Sequence, residues 1–425
     1  MSDAHPHHHY RFSYQPILNT AQTSVGVELQ FDTPAASASD PAQAAFIAAD
    51  AIIHAFIHSG LDDLLRHRRA WVQASGALLG SGLIDLLPPE HFVLRVNPDD
   101  PHLALPRLVQ LRLRGFQVAL EASGLLRQPQ RQELLQAADA IAINMADWSN
   151  PETQALIASL ASTPVQLLVR HIDLPADFDR LRHSGIHLFQ GYHFAHRGEA
   201  SGTRVDPIKL SLLELLAKIS ADADDPVLEE IFRTDPALSL HLLRLVNSSA
   251  FSVPTRISSI KHAFAVLGRR QLTRWLQVLL YAVDDHGDGA SPLLELALRR
   301  GRFIEYALKY LHHRESSQLQ DEAYMTGLLS LADVLIDWPI EKVVEKLHLA
   351  EAVRAALLQR SGTLGRLLEL VESLEQAEFN RATEIAEELH LSEDAVMHTQ
   401  NVALAWANAI VAGRSAQDQD QQNPA

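Results

Sequence analysis

Residues 103–124 read "LALPRLVQLRLRGFQVALEASG". Through Gly115 the apolar residues recur at helical spacing, and the glycine closes the segment. The next run, "FQVALE" at 116–121, reads as a buried strand. It ends in a single carboxylate, Glu121, followed by the small residues Ala122, Ser123 and Gly124. A helix, a glycine, a strand and an acid at the strand's end make one βα repeat unit. Its neighbours decide the fold.

Seven further strand candidates lie around it: "RFSYQPI" (11–17), "VGVELQF" (25–31), "AWVQA" (70–74), "FVLRV" (92–96), "AIAIN" (140–144), "VQLLVR" (165–170) and "HLFQG" (187–191). Helical stretches separate most of them, "DFDRLRHSG" (177–185) among them. The first two are joined by a turn-like "NTAQTS", which predicts a hairpin. The rest is a βα alternation, which predicts a mostly parallel sheet covered by helices. Seven or eight such units predict a closed TIM-type (β/α) barrel over residues 10–196 with an irregular start.

From 207 to 412 the alternation gives way to helical periodicity throughout, so this half reads as all-helical. Residues 197–206, within "RGEASGTRVDP", are polar and rich in small residues and read as a linker. The end, 413–425, "GRSAQDQDQQNPA", is polar and reads as a disordered tail.

The chain has 425 residues, 47% hydrophobic and 21% charged, an ordinary globular balance. It has no cysteine, which excludes disulfides, thiolate metal sites and cysteine nucleophiles. No run approaches the length of a membrane span, and no secretory signal is visible, so a cytoplasmic location is expected. With 36 basic and 52 acidic side chains the net charge is −16, which argues against general nucleic-acid binding. The cluster His5, His7, His8 and His9 reads as a ragged chain end rather than a metal site.

Functional groups of such barrels project from the C-terminal ends of the strands. The polar residues there include Glu28, Gln73, Arg95, Asn97, Glu121, Asn144, Arg170, His171 and Gln190. Metal-assisted phosphate chemistry needs several hard oxygen ligands, chiefly carboxylates. This set holds two carboxylates and two guanidiniums, which repel a divalent cation. The arginines can serve in two ways. They pair with Glu28 and Glu121 and fill the space of a metal, or they bind phosphates of a nucleotide without cleaving it.

The order "YQPI" (14–17), "VGVEL" (25–29), "VALEASG", "AIAIN" and "LFQGYHFA" (188–195) resembles the EAL domains, the cyclic di-GMP phosphodiesterases. The resemblance implies that Glu28 matches the first metal-binding glutamate, followed by Leu29 and Gln30 where the family has alanine and leucine. It sets Gln73 at an asparagine ligand, Arg95 at a glutamate ligand, and Glu121 with Ala122 at the paired aspartates. Ala142 falls at the lysine that positions the attacking water, Asn144 at the acid two residues on, and Arg170 near a late glutamate ligand. Gln190 and Gly191 keep the family's glutamine–glycine pair. The implied expectation is a degenerate barrel that holds no metal and no other cofactor.

The stretch "DPALSLHLLRLVNSSAFSVPTRISSIKHAFAVLGRRQLTRWLQVLL" (235–280), with "AYMTGLLSLADVLI" (323–336), resembles an HDOD domain. HD-type phosphohydrolases hold metal with a His–Asp pair. Ser330 and Leu331 stand at that place, and Asp333 lies nearby without a histidine partner. His312 and His313 are adjacent and diverge on a helix, so they read as surface residues. Arg269, Arg270 and Arg274 read as a solvated helix face, with a partner surface as the alternative. Residues 248–260 read as a loop with Phe251 and Pro254 inside it. Glu375 and Glu378 read as a solvated turn.

The two resemblances together imply a non-catalytic signalling adaptor related to cyclic di-GMP. It would contact other signalling proteins and lack a membrane span. A non-hydrolysing cyclic di-GMP receptor, a phosphodiesterase with altered ligands, and homodimerisation stay open.

Overall fold

A computed structural model of the chain describes residues 11–32, 40–58, 68–198, 207–220, 259–282, 291–311 and 316–422, with Leu65 and scattered positions between 223 and 257. The histidines at 5–9, most of the 197–206 segment, most of the 248–260 loop, His312 and His313 lie outside the described residues. The chain divides into two compact units, residues 1–196 with 373–379, and residues 197–372 with 380–425.

The first unit is a closed barrel of eight strands in chain order: β1 (Phe12–Asn19), β2 (Ser24–Phe31), β3 (Arg69–Gln73), β4 (Phe92–Val96), β5 (Gln117–Glu121), β6 (Ala140–Asn144), β7 (Gln166–Arg170) and β8 (Leu188–Gln190). β1 and β2 form the expected antiparallel hairpin, and β1 also runs antiparallel to β8. All other neighbours are parallel. Covering helices explain the unbroken apolar strands: every residue of β4 is buried. Local signals set the helix starts. Pro151 opens Pro151–Leu160, and the Asn150 side chain accepts from Glu152 N–H at 2.9 Å.

Side chains alternate across a strand, so residues two apart share the barrel interior. Ile17, Trp71, Val93, Ala119, Ala140, Ala142, Leu168 and Leu188 pack together as one apolar cluster. The next inward positions toward the C-terminal ends of β3 to β8 are Gln73, Arg95, Glu121, Asn144, Arg170 and Gln190, and Gln15 joins them from the N-terminal half of the antiparallel β1. Glu28 pairs in register with Gln15 and Trp71. An apolar floor thus carries a polar rim, and the rim is the mouth of the barrel.

The second unit is all-helical among its described residues. Its longest described helices are Ile260–Ala282, Pro292–Leu311 and Glu393–Gln422. Pro292–Leu311 is buried along most of its length and packs on Ser317–Leu329 and Glu393–Gln422. Gly327 permits one close approach: a Cβ there would lie 2.4 Å from the Arg300 carbonyl carbon. Ile260–Ala282 is two helices joined at Gly268, whose φ of 70° is open to glycine. The last helix runs on to Gln422, past the expected start of an irregular tail at 413. Ala416, Arg414 and the four glutamines there are good helix formers, and no proline interrupts before Pro424.

Candidate functional site

Register brings Glu28, Arg95, Glu121, Arg170 and Gln73 together at the mouth. Arg95 lies on β4 between β3 and β5, and its guanidinium reaches both ways. Nη2 donates to Glu28 Oε1 at 3.0 Å and to Gln73 Oε1 at 3.3 Å, and Nη1 pairs with Glu121 Oε1. Arg170 clamps the same acid from β7, with Nη2 to Glu28 Oε1 at 2.6 Å and Nε to Oε2 at 3.2 Å. Glu28 is 1% exposed and Arg95 4%. Burial pushes the Arg95 guanidinium below its ordinary pKa, and the charges of Glu28 and Glu121 push back. Of the two readings open to the arginines, pairing with the glutamates is present.

The residues here do not fit a divalent cation. Both carboxylate oxygens of Glu28 already accept hydrogen bonds from guanidinium groups. The positive charge of Arg95 stands between Glu28 and Glu121, where a shared cation would have to sit. Among the described residues no group of three or more His, Asp or Glu side chains could hold a metal ion.

Other residues at this rim do different work. Ala142 belongs to the apolar floor. Ala122 is buried at the start of the short helix Ala122–Leu126. Asn144 is not drawn into the cluster: its side chain accepts from Ala146 N–H at 3.0 Å and caps the turn Met145–Asp147. Gln190 bridges β8 to its neighbours, accepting from His171 N–H at 3.0 Å and donating to Gln15 Oε1. His193, just beyond, is buried against Phe178 with rings 4.4 Å apart, and burial lowers its pKa to about 4.

Sequence reasoning missed one part of the mouth. Glu375 is not on a solvated turn: it is 2% exposed and belongs to the barrel unit. Its backbone carbonyl accepts from Ser13 Oγ at 2.7 Å, Gln15 Nε2 at 2.9 Å and the Tyr192 hydroxyl at 3.0 Å. Glu378 is exposed as expected. Strand alternation puts Ser13 and Gln15 on the inward face with Ile17, so the donors were legible; the acceptor was not.

In the helical unit, Ser330 ends the helix Ser317–Leu329. Its hydroxyl donates to Gly327 O at 2.7 Å and accepts from Arg300 Nη1 at 3.0 Å. Leu331 is buried, and burial raises the pKa of Asp333. A serine held by an arginine and a buried leucine offer a cation nothing at this position.

Residues 207–350 match the family model of the HDOD domain. Two relatives align along almost the whole chain. One is the Bacillus subtilis protein YuxH, 26% identical over 93% of this chain and 98% of that protein. The other is the cyclic di-GMP phosphodiesterase CdgJ of Vibrio cholerae, 27% identical over 93% of this chain and 92% of that protein. Among solved structures, the FimX EAL domain from Pseudomonas aeruginosa, bound to c-di-GMP, is 20% identical. It covers 44% of this chain and 89% of that one, with a TM-score of 0.34.

The HDOD region also contains the three arginines read as a helix face. They are not uniformly solvated. Arg274 is turned inward, with Nη2 2.9 Å from Glu305 Oε1 and 2.8 Å from Asp321 Oδ1, and it stacks over the Tyr324 ring. Arg270 also pairs with Asp321 and donates to Ser317 O at 3.0 Å. Two of the three therefore tie Ile260–Ala282 to Ser317–Leu329 within the HDOD region. The sequence conceals this because Asp321 lies 47 residues from Arg274. No helix among the described residues is long and apolar enough to cross a membrane.

Proposed function

We propose that this chain is a non-catalytic signalling protein related to cyclic di-GMP, working in the cytoplasm through contacts with other signalling proteins. The observation that carries the reading is the Arg95 guanidinium bridging Glu28 and Glu121. Hydrolysis of a phosphodiester at neutral pH by metal assistance needs a cation that lowers the pKa of water and neutralises developing charge. Here the two acids are neutralised by fixed arginines, which supply no labile coordination site. Similarity to CdgJ along 93% of the chain supports the link to cyclic di-GMP. The HDOD match supports a domain with a role besides the barrel's.

The test is incubation of the full chain with cyclic di-GMP and Mg²⁺ or Mn²⁺. No linear product is expected. Turnover that disappears in Glu28→Ala would overturn the reading. A second reading, a receptor that binds cyclic di-GMP without cleaving it, is favoured by the guanidinium of Arg170, whose side chain stays 11% exposed beside the mouth. Calorimetry with cyclic di-GMP distinguishes the two, since binding heat without product selects the receptor.

A further inference from the structure

Three donors from the barrel converge on one backbone oxygen. Ser13 and Gln15 lie on β1 and Tyr192 follows β8, and all three donate to the Glu375 carbonyl. That carbonyl closes the helix Gly362–Glu375. The last carbonyls of a helix have no intrahelical donor and carry the negative end of its dipole, so they accept strongly. The turn that follows is tight. Glu378 N–H donates back to Ser373 O at 2.9 Å, and Ala377 holds φ at 59°, which costs an alanine energy.

The contact reaches toward the arginine cluster through hydrogen bonds. Gln15 binds Glu375 with its amide nitrogen and accepts from Gln190 with its oxygen. Gln190 accepts from the N–H of His171, which follows Arg170, the clamp on Glu28. His171 itself holds φ at 60°. Both ends of the chain of bonds are thus strained backbone, a condition that persists only while the surroundings enforce it.

We propose that residues 373–379 are a latch built into the barrel mouth, seated by the Glu375 carbonyl on Ser13, Gln15 and Tyr192. Seated, it covers the β1–β8 side of the rim. Released, it takes their shared acceptor from Ser13, Gln15 and Tyr192 and frees the turn at Ala377. The latch makes the state of the mouth readable at a segment 180 residues and more along the chain from β8, whatever the mouth binds.

Backbone hydrogen exchange on the full chain tests this, because local opening sets the rate of each amide. In the double variant Ser13→Ala/Tyr192→Phe, two of the three bonds are gone. Exchange within 373–379 should rise by roughly tenfold, with the amides of β4 and β5 unchanged. Ala377→Gly relieves the positive φ and should slow the same amides by about twofold or more. Unchanged exchange in the double variant, or an equal rise across the whole barrel, overturns the latch. Should the double variant fail to fold, Ala377→Gly decides alone: exchange at 373–379 as fast as in the wild type, or faster, sinks the proposal.

Discussion

At the scale of single residues, the mouth is governed by the cost of buried charge. Glu28 is almost fully buried, and an isolated carboxylate there would be expelled or protonated. Two guanidiniums prevent that, and Arg95 additionally holds Glu121. Removing one member of such a group costs more than the group contributes, because the remaining charge is left uncompensated. Arg95→Ala should therefore lose about 3 kcal/mol of stability. Arg170 is left with Glu28, and Glu121 turns to water. Adding Glu28→Gln to Arg95→Ala takes the carboxylate from Arg170 as well and should deepen the loss. Urea unfolding of both single variants and the double variant measures the coupling. A loss under about 0.5 kcal/mol in Arg95→Ala, the range of ordinary surface changes, would show that the cluster is not held by charge.

At the scale of elements, much of the barrel was legible. The eight apolar runs overlie the eight strands, and the hairpin start follows from "NTAQTS". The floor and rim follow from alternation: Val93 with Arg95, Ala119 with Glu121, Leu168 with Arg170. Arginine at a position implied for an acid was itself a signal of internal pairing. What escaped was set by distant partners. "SLEQAEFN" is locally a polar turn, and its Glu375 carbonyl is buried by donors far up the chain, Ser13 among them at 362 residues away. Arg274 likewise looked solvated because Asp321 and Glu305 come from other helices. Backbone geometry inside a periodic run was also hidden. Gly268 interrupts "SIKHAFAVLGRRQL" at φ 70°, although helical spacing continues across it. No described neighbour lies within 4 Å of a Cβ built there, so among the described residues Gly268→Ala meets only backbone strain. The expected loss is roughly 1–3 kcal/mol, because φ 70° with ψ 165° is a backbone region open essentially to glycine alone. Chemical unfolding followed through the HDOD region checks it. An equally stable variant would mean that the two helices can join straight.

At the scale of the whole molecule, the polar segment after residue 196 invites a cut there, but the barrel is not a continuous piece of chain. Its compact unit takes in residues 373–379 from far downstream. A chain ended at residue 206 keeps all eight strands and loses the acceptor of Ser13, Gln15 and Tyr192. Ser13 is fully buried in the intact chain, and Gln15 and Tyr192 nearly so. Leaving buried donors without partners costs about 1–3 kcal/mol each, less where water can enter. The shortened chain should therefore fold, but with its barrel weakened by roughly 2 kcal/mol. That would appear as faster exchange of the β4 amides than in the full chain, at equal pH and temperature. The same shortening in Ser13→Ala/Tyr192→Phe strands fewer donors and should lose less. This order, where the same two substitutions leave the β4 amides of the full chain unchanged, is the signature of a missing acceptor. If the shortened wild-type barrel exchanges as slowly as the full chain, residues 373–379 add nothing to the barrel's stability, and the barrel ends where the polar segment begins.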